Sequence, residues 1–163
     1  MWYPVVTYVV DTSSFIELFQ KYPRSLFPSL WQEFENLIDR DALSSIIQVK
    51  QELQREKNGD QASYWAQQPS VRRLFTSPTL EEMVFLSSEL ASSKFRDAVP
   101  QHLRSTNEKA DIYLIARARV FDGIVVTEER YKPQGTKIPT ICKGFNIDCV
   151  NLLGMMQREN WRF

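Results

Sequence analysis

The stretch that decides the fold lies near the amino terminus and reads Val5-Val6-Thr7-Tyr8-Val9-Val10-Asp11-Thr12-Ser13-Ser14. Its first part is mostly β-branched and apolar on both alternating faces, which is typical of a central strand in a parallel sheet. The run is far too short to span a membrane. It ends in Asp11, so the sequence predicts an acid at the carboxyl end of a strand, where open α/β sheets place their sites.

Helices and strands alternate along the rest of the chain. Apolar spacing, capping residues and prolines predict helices over 14–22, 28–38, 47–58, 61–67, 79–92, 108–121, 139–145 and 152–158. β-branched runs predict further strands over 43–46, 124–127 and 147–150. This order predicts parallel crossovers in one three-layer α/β/α sandwich domain over 1–163, with a central, mainly parallel sheet of four or five strands.

Two local features of this prediction bear on Asp11 and on the sheet. Ser14 and Glu17 have the S-x-x-E form of a capping box, which predicts that Ser14 caps the first helix and leaves Asp11 for another role. The segment 93–107 has no clear pattern. A third, edge strand is expected there, or the sheet forms without it.

Composition excludes several classes of protein. The twenty basic and twenty acidic side chains cancel, which argues against nucleic-acid binding by bulk electrostatics. The single histidine, His102, leaves almost nothing for a histidine triad or a multi-histidine zinc site. The five glycines form neither the dinucleotide-binding pattern nor the P-loop pattern. An enzyme of this composition depends on carboxylates.

Length and hydrophobic content predict one soluble, cytoplasmic domain. The 163 residues include 43% hydrophobic and 25% charged side chains, enough for a single well-formed core. The sequence has no run of the roughly 18 apolar residues that a membrane-spanning helix needs, and no signal-type segment. Cys142 and Cys149 do not form a C-x-x-C pair, so reduced, partly buried thiols are expected.

Four carboxylates stand out by their positions. Asp11 ends the first strand, and Glu52 lies in the helix after the second. Asp111 lies near the start of a helix, and Glu129 lies just past the next strand. If the parallel sheet brings them to one edge, repulsion raises some of their pKa values unless a cation neutralises them. Oxygen ligands without histidine or cysteine select Mg²⁺ or Mn²⁺.

A hard divalent ion in an acidic pocket suits phosphodiester hydrolysis, because it polarises the phosphate and activates a bound water. Thr12, Ser13 and Thr127 are predicted to hold a carboxylate or a water in place beside it. Lys132 and Lys137 lie near the expected mouth of the pocket and could contact phosphates. The remaining basic pairs, which include Arg72-Arg73 and Arg117 with Arg119, are expected mostly on solvated faces.

The acids also carry a family resemblance. In order and spacing, four segments resemble the acidic motifs of the PIN domain: Val9-Val10-Asp11-Thr12-Ser13, Val49-Lys50-Gln51-Glu52-Leu53, Ala110-Asp111-Ile112-Tyr113-Leu114-Ile115-Ala116 and Val125-Val126-Thr127-Glu128-Glu129. The resemblance covers nearly the whole chain. The tail around Cys142 and Cys149 further resembles a PIN-like branch of microbial proteins.

The resemblance implies a metal-dependent ribonuclease, often the toxin of a VapC-type toxin–antitoxin pair, with Asp11, Glu52 and Asp111 as its central acids. It implies RNA as substrate, for example a tRNA, and a cognate antitoxin protein as partner. The fourth position in PIN domains is commonly aspartate in a T-x-D arrangement. Here Glu129 fits that spacing and Glu128 does not, so direct and water-mediated metal contact both stay open for Glu129.

Other interpretations stay open beside this one. Each acid has an ordinary alternative role, as a cap for Asp11, as a helix-terminus charge for Asp111, and as a solvated side chain for Glu52 and Glu129. The chain could also be a PIN-like protein-binding module with little or no nuclease activity. Neutral net charge and the apolar helices 30–38 and 79–92 favour such a protein partner or a homodimer face. An aspartyl-phosphate enzyme using Asp11 is disfavoured, because Ser13 stands where a second acid is needed.

Overall fold

The computed structural model describes residues 5–55, 60–99 and 109–163. The strands are β1 (Tyr8–Val10), β2 (Leu43–Ile46), β3 (Phe75–Thr76), β4 (Ile124–Val126) and β5 (Cys149–Val150). The helices are α1 (Thr12–Lys21), α2 (Pro28–Asp39), α3 (Ile47–Arg55), α4 (Asp60–Ala66), α5 (Leu80–Val84), α6 (Ala110–Phe121), α7 (Ile138–Gly144) and α8 (Leu152–Arg158). Short 3₁₀ turns cover Pro69–Leu74 and Arg96–Ala98.

The five strands form one parallel sheet in the order β3-β2-β1-β4-β5. β1 is central, with Tyr8 opposite Leu43 on one side and Val10 opposite Val126 on the other. Its three residues are all buried, as a strand covered on both faces requires. The predicted α/β sandwich with a parallel central sheet is confirmed, and the sheet has the larger of the two predicted strand counts.

The third strand lies earlier in the chain than predicted. It is β3, two residues long, and Ser45 of β2 pairs with Phe75 of β3. The described part of the predicted region instead forms turns and the 3₁₀ turn at Arg96–Ala98, while 100–107 lies outside the described residues. So short a strand has no periodicity of its own, and its pairing with β2 defines it.

The first helix also begins earlier than predicted. α1 starts at Thr12, and Asp11 is its N-cap, because the Asp11 side chain accepts a hydrogen bond from the Thr12 amide. Ser14 lies inside the helix, buried, and its hydroxyl donates to Glu128. The prediction that Ser14 caps the helix and frees Asp11 is wrong. Both residue types are good caps locally, and the end of β1 at Val10 selects Asp11.

Helix α5 is shorter than the predicted segment 79–92. Thr79 caps it in a capping box with Glu82, and after Val84 the backbone continues as a π-helical turn over Phe85–Leu90. Phe85, Leu86 and Leu90 of this wider turn are buried in the core. The predicted helix end at 58 lies outside the described residues, and α3 is described to Arg55.

An aromatic cluster joins the helices to the sheet edge. The ring of Phe15 in α1 packs against those of Phe34, Trp65 and Phe75, with centroids 5.5–6.4 Å apart. These rings come from four separate elements, so their packing fixes α2, α4 and β3 around α1. Trp31 and Trp65 are core residues.

The apolar stripe of α2 faces this core and is not a free surface. Leu30, Trp31, Phe34, Leu37 and Ile38 are all buried. The prediction that helix 30–38 exposes an apolar face for a partner is therefore wrong, because the core covers that face. In the segment 79–92, Phe85, Leu86 and Leu90 are buried as well, whereas Leu80 and Val84 are exposed.

Helix α6 packs across β1, β2 and β4 and is buried along most of its length. It ends at Asp122, which adopts the left-handed conformation with φ of 53°. Within the described residues, every helix is too short or too polar to cross a membrane.

Candidate active site at the carboxyl ends of the strands

Asp11 lies at the carboxyl end of the central strand, as predicted. Its amide donates to the carbonyl of Val126 over 2.8 Å, which continues the pairing of β1 with β4 by one residue. The Asp11 side chain is only 4% exposed. Thr127 follows β4, so the ends of two neighbouring strands place Asp11 and Thr127 side by side.

A set of hydroxyl and amide donors holds the Asp11 carboxylate. Ser13 Oγ donates to Asp11 Oδ2 over 2.7 Å, and Thr127 Oγ1 donates to the same oxygen over 2.9 Å. The Thr12 amide donates to Oδ1 over 2.8 Å. Three donors from two strand ends fix the orientation of this buried acid. Positioning roles were predicted for Thr12, Ser13 and Thr127, and all three lie at the acidic edge of the sheet.

Glu52 links α1 to the start of α6. Thr12 Oγ1 donates to Glu52 Oε2 over 2.5 Å, and the Ala110 amide donates to Oε1 over 3.0 Å. The second bond satisfies an amide at the helix amino terminus, where an acid is favourable. Glu52 is therefore not a solvated side chain of a polar helix. Its partner Thr12 follows Asp11 in the sequence, and its partner Ala110 precedes Asp111. Glu52 therefore lies beside both acids.

Asp111, in the first turn of α6, differs from the other acids. Its carboxylate has no hydrogen bond to any described residue, and the residue is partly exposed. Burial and the neighbouring charges of Asp11, Glu129 and Glu52 together raise the pKa of Asp111 to about 7, while Lys109 lowers it. These charge interactions, with the bonds of Glu52 to Thr12 and Ala110, indicate that the four predicted acids lie in one region of the fold.

The same repulsion acts on Asp11, but hydrogen bonds to its carboxylate oppose it. Burial raises the pKa of the Asp11 carboxyl, and the charge of Glu129 adds to the rise. The hydrogen bonds from Ser13 and Thr127 lower it, since they favour the ionised carboxylate.

Glu129 and Glu128 point to different helices. Glu129 Oε2 accepts from the Ile138 amide at the start of α7 over 2.9 Å, and Lys137 Nζ lies 3.8 Å from Oε1. Glu128 Oε1 accepts from the Leu152 amide at the start of α8 over 2.9 Å. Glu129 interacts with the charges of Asp11 and Asp111, which agrees with the spacing that favoured it over Glu128.

The two predicted phosphate contacts lie on the loop between β4 and α7. The Lys137 side chain is 63% exposed and forms a long ion pair with Glu129, whereas Lys132 is exposed and its backbone is tied to Thr140. An exposed ion pair of this length adds little stability, so the Lys137 ammonium is available to a phosphate.

Arg117 was predicted on a solvated surface, but it is buried. Its guanidinium is buried and donates to Glu82 Oε1 over 2.7 Å, to Thr76 Oγ1 over 2.6 Å and to the carbonyl of Ser45. Glu82 is fully buried as well. The expectation of a solvated Arg117 is wrong, because this pair ties α5 and α6 to the edge of β2 and β3.

Gln48 is a polar residue that the sequence did not single out. It precedes Glu52 by one helical turn, so the two lie on the same side of α3. Gln48 is buried, and its Oε1 has no hydrogen-bond partner in the described part of the chain. In the sequence, the only signal for Gln48 was its position four residues before the predicted ligand Glu52, on the same side of the helix.

The donor set suits a hard divalent cation. The four gathered side chains offer carboxylate oxygens alone, and the raised pKa values of Asp11 and Asp111 show that their charges lack compensation. As the side chains stand, no group of three acidic, cysteine or histidine residues in the described ranges is compact enough to hold a metal ion. Three of the acids accept bonds from the chain, so ion binding requires the carboxylates to close in further.

Comparison with known proteins agrees with this architecture. The family model "Domain of unknown function (DUF4411)" matches residues 8–163. Among solved structures, the chain is similar to a chain in the crystal structure of VapBC2 from Rickettsia felis, which is bound to a DNA fragment from its promoter. The identity is 15% and the TM-score 0.51, over 90% of this chain and 98% of that one. No curated protein matches the sequence.

At this low identity the structural likeness establishes the fold alone. It confirms the predicted PIN-like resemblance at the level of the fold. The family match extends over nearly the entire chain. The chain therefore belongs to the DUF4411 family and has a PIN-like fold.

Proposed function

We propose that this protein is a metal-dependent endoribonuclease that hydrolyses RNA phosphodiesters with Mg²⁺ or Mn²⁺. Asp11, Glu52, Asp111 and Glu129 would surround the ion. The observation that supports this most directly is Asp111, whose pKa of about 7 reflects burial and the charges of the other three acids. A fold without a use for this cluster would gain stability by losing one of its charges.

The bound ion would supply a polarised phosphate and a water activated for attack. The chain's own residues prepare the site. Ser13 and Thr127 hold Asp11 Oδ2, so one acid keeps a fixed direction. The raised pKa of Asp111 reflects a repulsion among the acids that a bound cation would relieve.

Glu52 and Glu129 would act from the periphery. Both Glu52 oxygens accept hydrogen bonds from Thr12 and Ala110. One Glu129 oxygen accepts from Ile138 and the other faces Lys137. For Glu129, these contacts favour a role through bound water over direct ligation of the ion. Each Glu52 oxygen still has a lone pair that could bind an ion, because each accepts one hydrogen bond.

We infer an RNA substrate, of which a structured RNA such as tRNA is one candidate, with Lys132 and Lys137 meeting its phosphates. The proposed biological role is the toxin of a toxin–antitoxin pair acting in the cytoplasm. The similarity to VapBC2, solved on its promoter DNA, supports a partner antitoxin for this chain. Neutral net charge fits recognition of RNA through a local site.

The test is cleavage of a mixed RNA substrate by purified protein in Mn²⁺ or Mg²⁺, with chelator added in parallel. We expect cleavage that needs the ion and that Asp111→Asn lowers by about 100-fold or more, because positioned groups at a reacting centre contribute about 10²–10⁴ in rate. Asp39→Asn is the matched control, since Asp39 is 78% exposed and lies before β2, at the amino ends of the parallel strands and away from the acids at their carboxyl ends.

Full cleavage by folded Asp111→Asn protein would overturn the proposed site. Equal cleavage in chelator would overturn the dependence on metal. Equal loss in Asp39→Asn and Asp111→Asn would show that the loss does not come from the site.

The alternative function is a PIN-like protein-binding module. One observation favours it: Asp11, Glu52 and Glu129 each already satisfy an amide at or beside a helix start. In that case the acids are structural. Millimolar Mn²⁺ that neither raises the melting temperature nor supports cleavage would favour the module, whereas a metal-dependent rise in melting temperature favours the nuclease.

A further inference from the structure

The fold brings the two cysteines together although six residues separate them in the chain. Cys142 lies in α7, and Cys149 lies in the edge strand β5 that follows. The Ile147 amide donates to the Cys142 carbonyl over 2.8 Å, which folds the chain back tightly after α7. Ile147 and Cys149 share one face of the extended chain, and α7 packs on β5. The turn after α7 therefore brings the strand that carries Cys149 back beside the helix that carries Cys142.

Cys149 lines a surface cavity together with Pro139 and Lys143, which lie on either side of Cys142 in the sequence of α7. A hydrogen bond with the Cys149 thiol is the largest cause that raises the pKa of the Cys142 thiol, followed by burial. Cys142 is fully buried, whereas Cys149 is half-buried. The two thiols thus differ in access, with one reachable from solvent and the other buried.

Cys149 lines an open surface cavity of about 550 Å³. Tyr131 and Lys143 form part of its wall, and the Lys143 ammonium lies 4.6 Å from the centre of the Tyr131 ring. The Lys143 ammonium puts a positive charge in the wall of this cavity, which suits an anionic disulfide. The cavity is large enough to admit a small anionic disulfide to Cys149.

We propose that Cys142 and Cys149 form a reversible intramolecular disulfide, with a low-molecular-weight disulfide such as oxidised glutathione as the oxidant. This inference stands apart from the proposed nuclease function. It also differs from the sequence expectation that both thiols simply stay reduced, because spacing along the chain does not show that β5 returns to α7.

The reaction balances in two exchange steps. The Cys149 thiolate attacks one sulfur of oxidised glutathione, forms a mixed disulfide and releases one glutathione thiolate. That thiolate takes up the proton of Cys142. The Cys142 sulfur then attacks Cys149 Sγ, forms the internal disulfide and expels the second glutathione as a thiolate, which takes up from solvent the proton that Cys149 had released. Two electrons pass from the protein thiols to oxidised glutathione, which leaves as two reduced molecules.

The bond would lock α7 to β5. The first residue of α7, Ile138, holds Glu129, and Thr140 accepts from and donates to the backbone of Lys132. Oxidation would therefore stabilise the helix that carries the loop between β4 and α7. Closing a short loop by a disulfide is expected to raise the melting temperature on the order of 5 °C for a domain of this size.

The experiment incubates native, full-length protein with oxidised glutathione and measures intact mass and free thiols after removal of the reagent. We expect wild-type protein to lose two hydrogens and both free thiols, and a reductant to restore them. The Cys142→Ser variant should stop at a glutathione adduct on Cys149. The Cys149→Ser variant should stay unmodified, because Cys142 is buried.

Wild-type protein that keeps both thiols, or that stops at the mixed disulfide, overturns the proposal. A disulfide that forms only after denaturation overturns it too. The wild-type result decides the matter even if a serine variant fails to fold. RNA cleavage has no part in this measurement, so failure of the nuclease proposal leaves the result intact.

Discussion

Helix α6 carries two charged side chains, Asp111 in its first turn and Arg117 further along, and the fold surrounds them in opposite ways. Asp111 in its first turn has no hydrogen bond among the described residues, and its pKa is raised to about 7. Arg117, six residues later, is 4% exposed and has an ion pair with Glu82 and further bonds to Ser45, Thr76 and Ser77. One region leaves a charge uncompensated, and the other compensates it fully.

This difference separates a site from a structural device. A buried charge that is paired and hydrogen-bonded keeps its place without any ligand. A buried acid that faces three other acids costs stability until a cation or a proton arrives. The comparison therefore predicts opposite signs when the charge is removed at each end of α6.

The largest effect is expected at the compensated end. Glu82→Gln should lower the free energy of unfolding by about 3–5 kcal/mol, because it leaves Arg117 buried with a neutral partner. Urea unfolding followed by circular dichroism measures this. Glu81→Gln, one residue away and exposed, is the control and should change little. A drop below about 1 kcal/mol would show that the Arg117 region does not need its ion pair.

At the uncompensated end the sign reverses. Asp111→Asn should raise the free energy of unfolding by about 1–3 kcal/mol at pH 7.5 in chelator, because it removes a charge that burial and three acids disfavour. Thermal unfolding in parallel with Asp39→Asn, which should change little, measures the gain. A loss of stability in Asp111→Asn would mean that the carboxylate has a structural partner.

The gain should depend on pH with a definite sign. The folded-state pKa of Asp111 is raised from 3.8 to about 7, so the folded protein binds more protons than the unfolded chain between those values. Stability contributed by this group is therefore present at pH 4 and lost as the pH rises to about 7. The advantage of Asp111→Asn should shrink between pH 7.5 and pH 5. An advantage that grows toward pH 5 would contradict the raised pKa.

The smallest effect concerns the donors that hold Asp11. Thr127→Val removes the bond to Asp11 Oδ2 and the acceptor of the Glu129 amide. It should lower stability by about 1–2 kcal/mol, since it leaves a buried carboxylate with one partner fewer. Thr136→Val, exposed on the following loop, is the control. Equal stability of both variants would show that Ser13 alone suffices to hold Asp11.

The sequence predicted the elements whose patterns are local. β1, α2, β2, β4 and α8 lie where their apolar runs, prolines and caps placed them, since each pattern is complete within its own segment. β3 was misplaced because two residues carry no period, and only β2 defines it. The cap was assigned to Ser14 because Asp11 and Ser14 are locally equivalent, and the contact of Ser14 with Glu128 arises only in the fold.

The candidate site shows the same division. The positions of Asp11 and Glu129 after β-branched runs, of Asp111 at a helix start and of Glu52 in the helix after β2 led to the prediction of these four acids, with the PIN-like resemblance supporting Glu52. The sequence did not show that Asp111 lacks a hydrogen bond while Asp11 has three. It also did not show that Arg117 meets Glu82, since 35 residues separate the partners.

By itself, the sequence determined the α/β order of elements, the acids at the strand ends and the PIN-like resemblance, because periodicity and residue type act over a few neighbours. Tertiary structure alone decided which charges on α6 are compensated, that Asp11 is both cap and candidate ligand, and that the helix with Cys142 packs on the strand with Cys149. Burial, hydrogen-bond partners and charge repulsion depend on distances in space, and residues far apart in the chain set those distances.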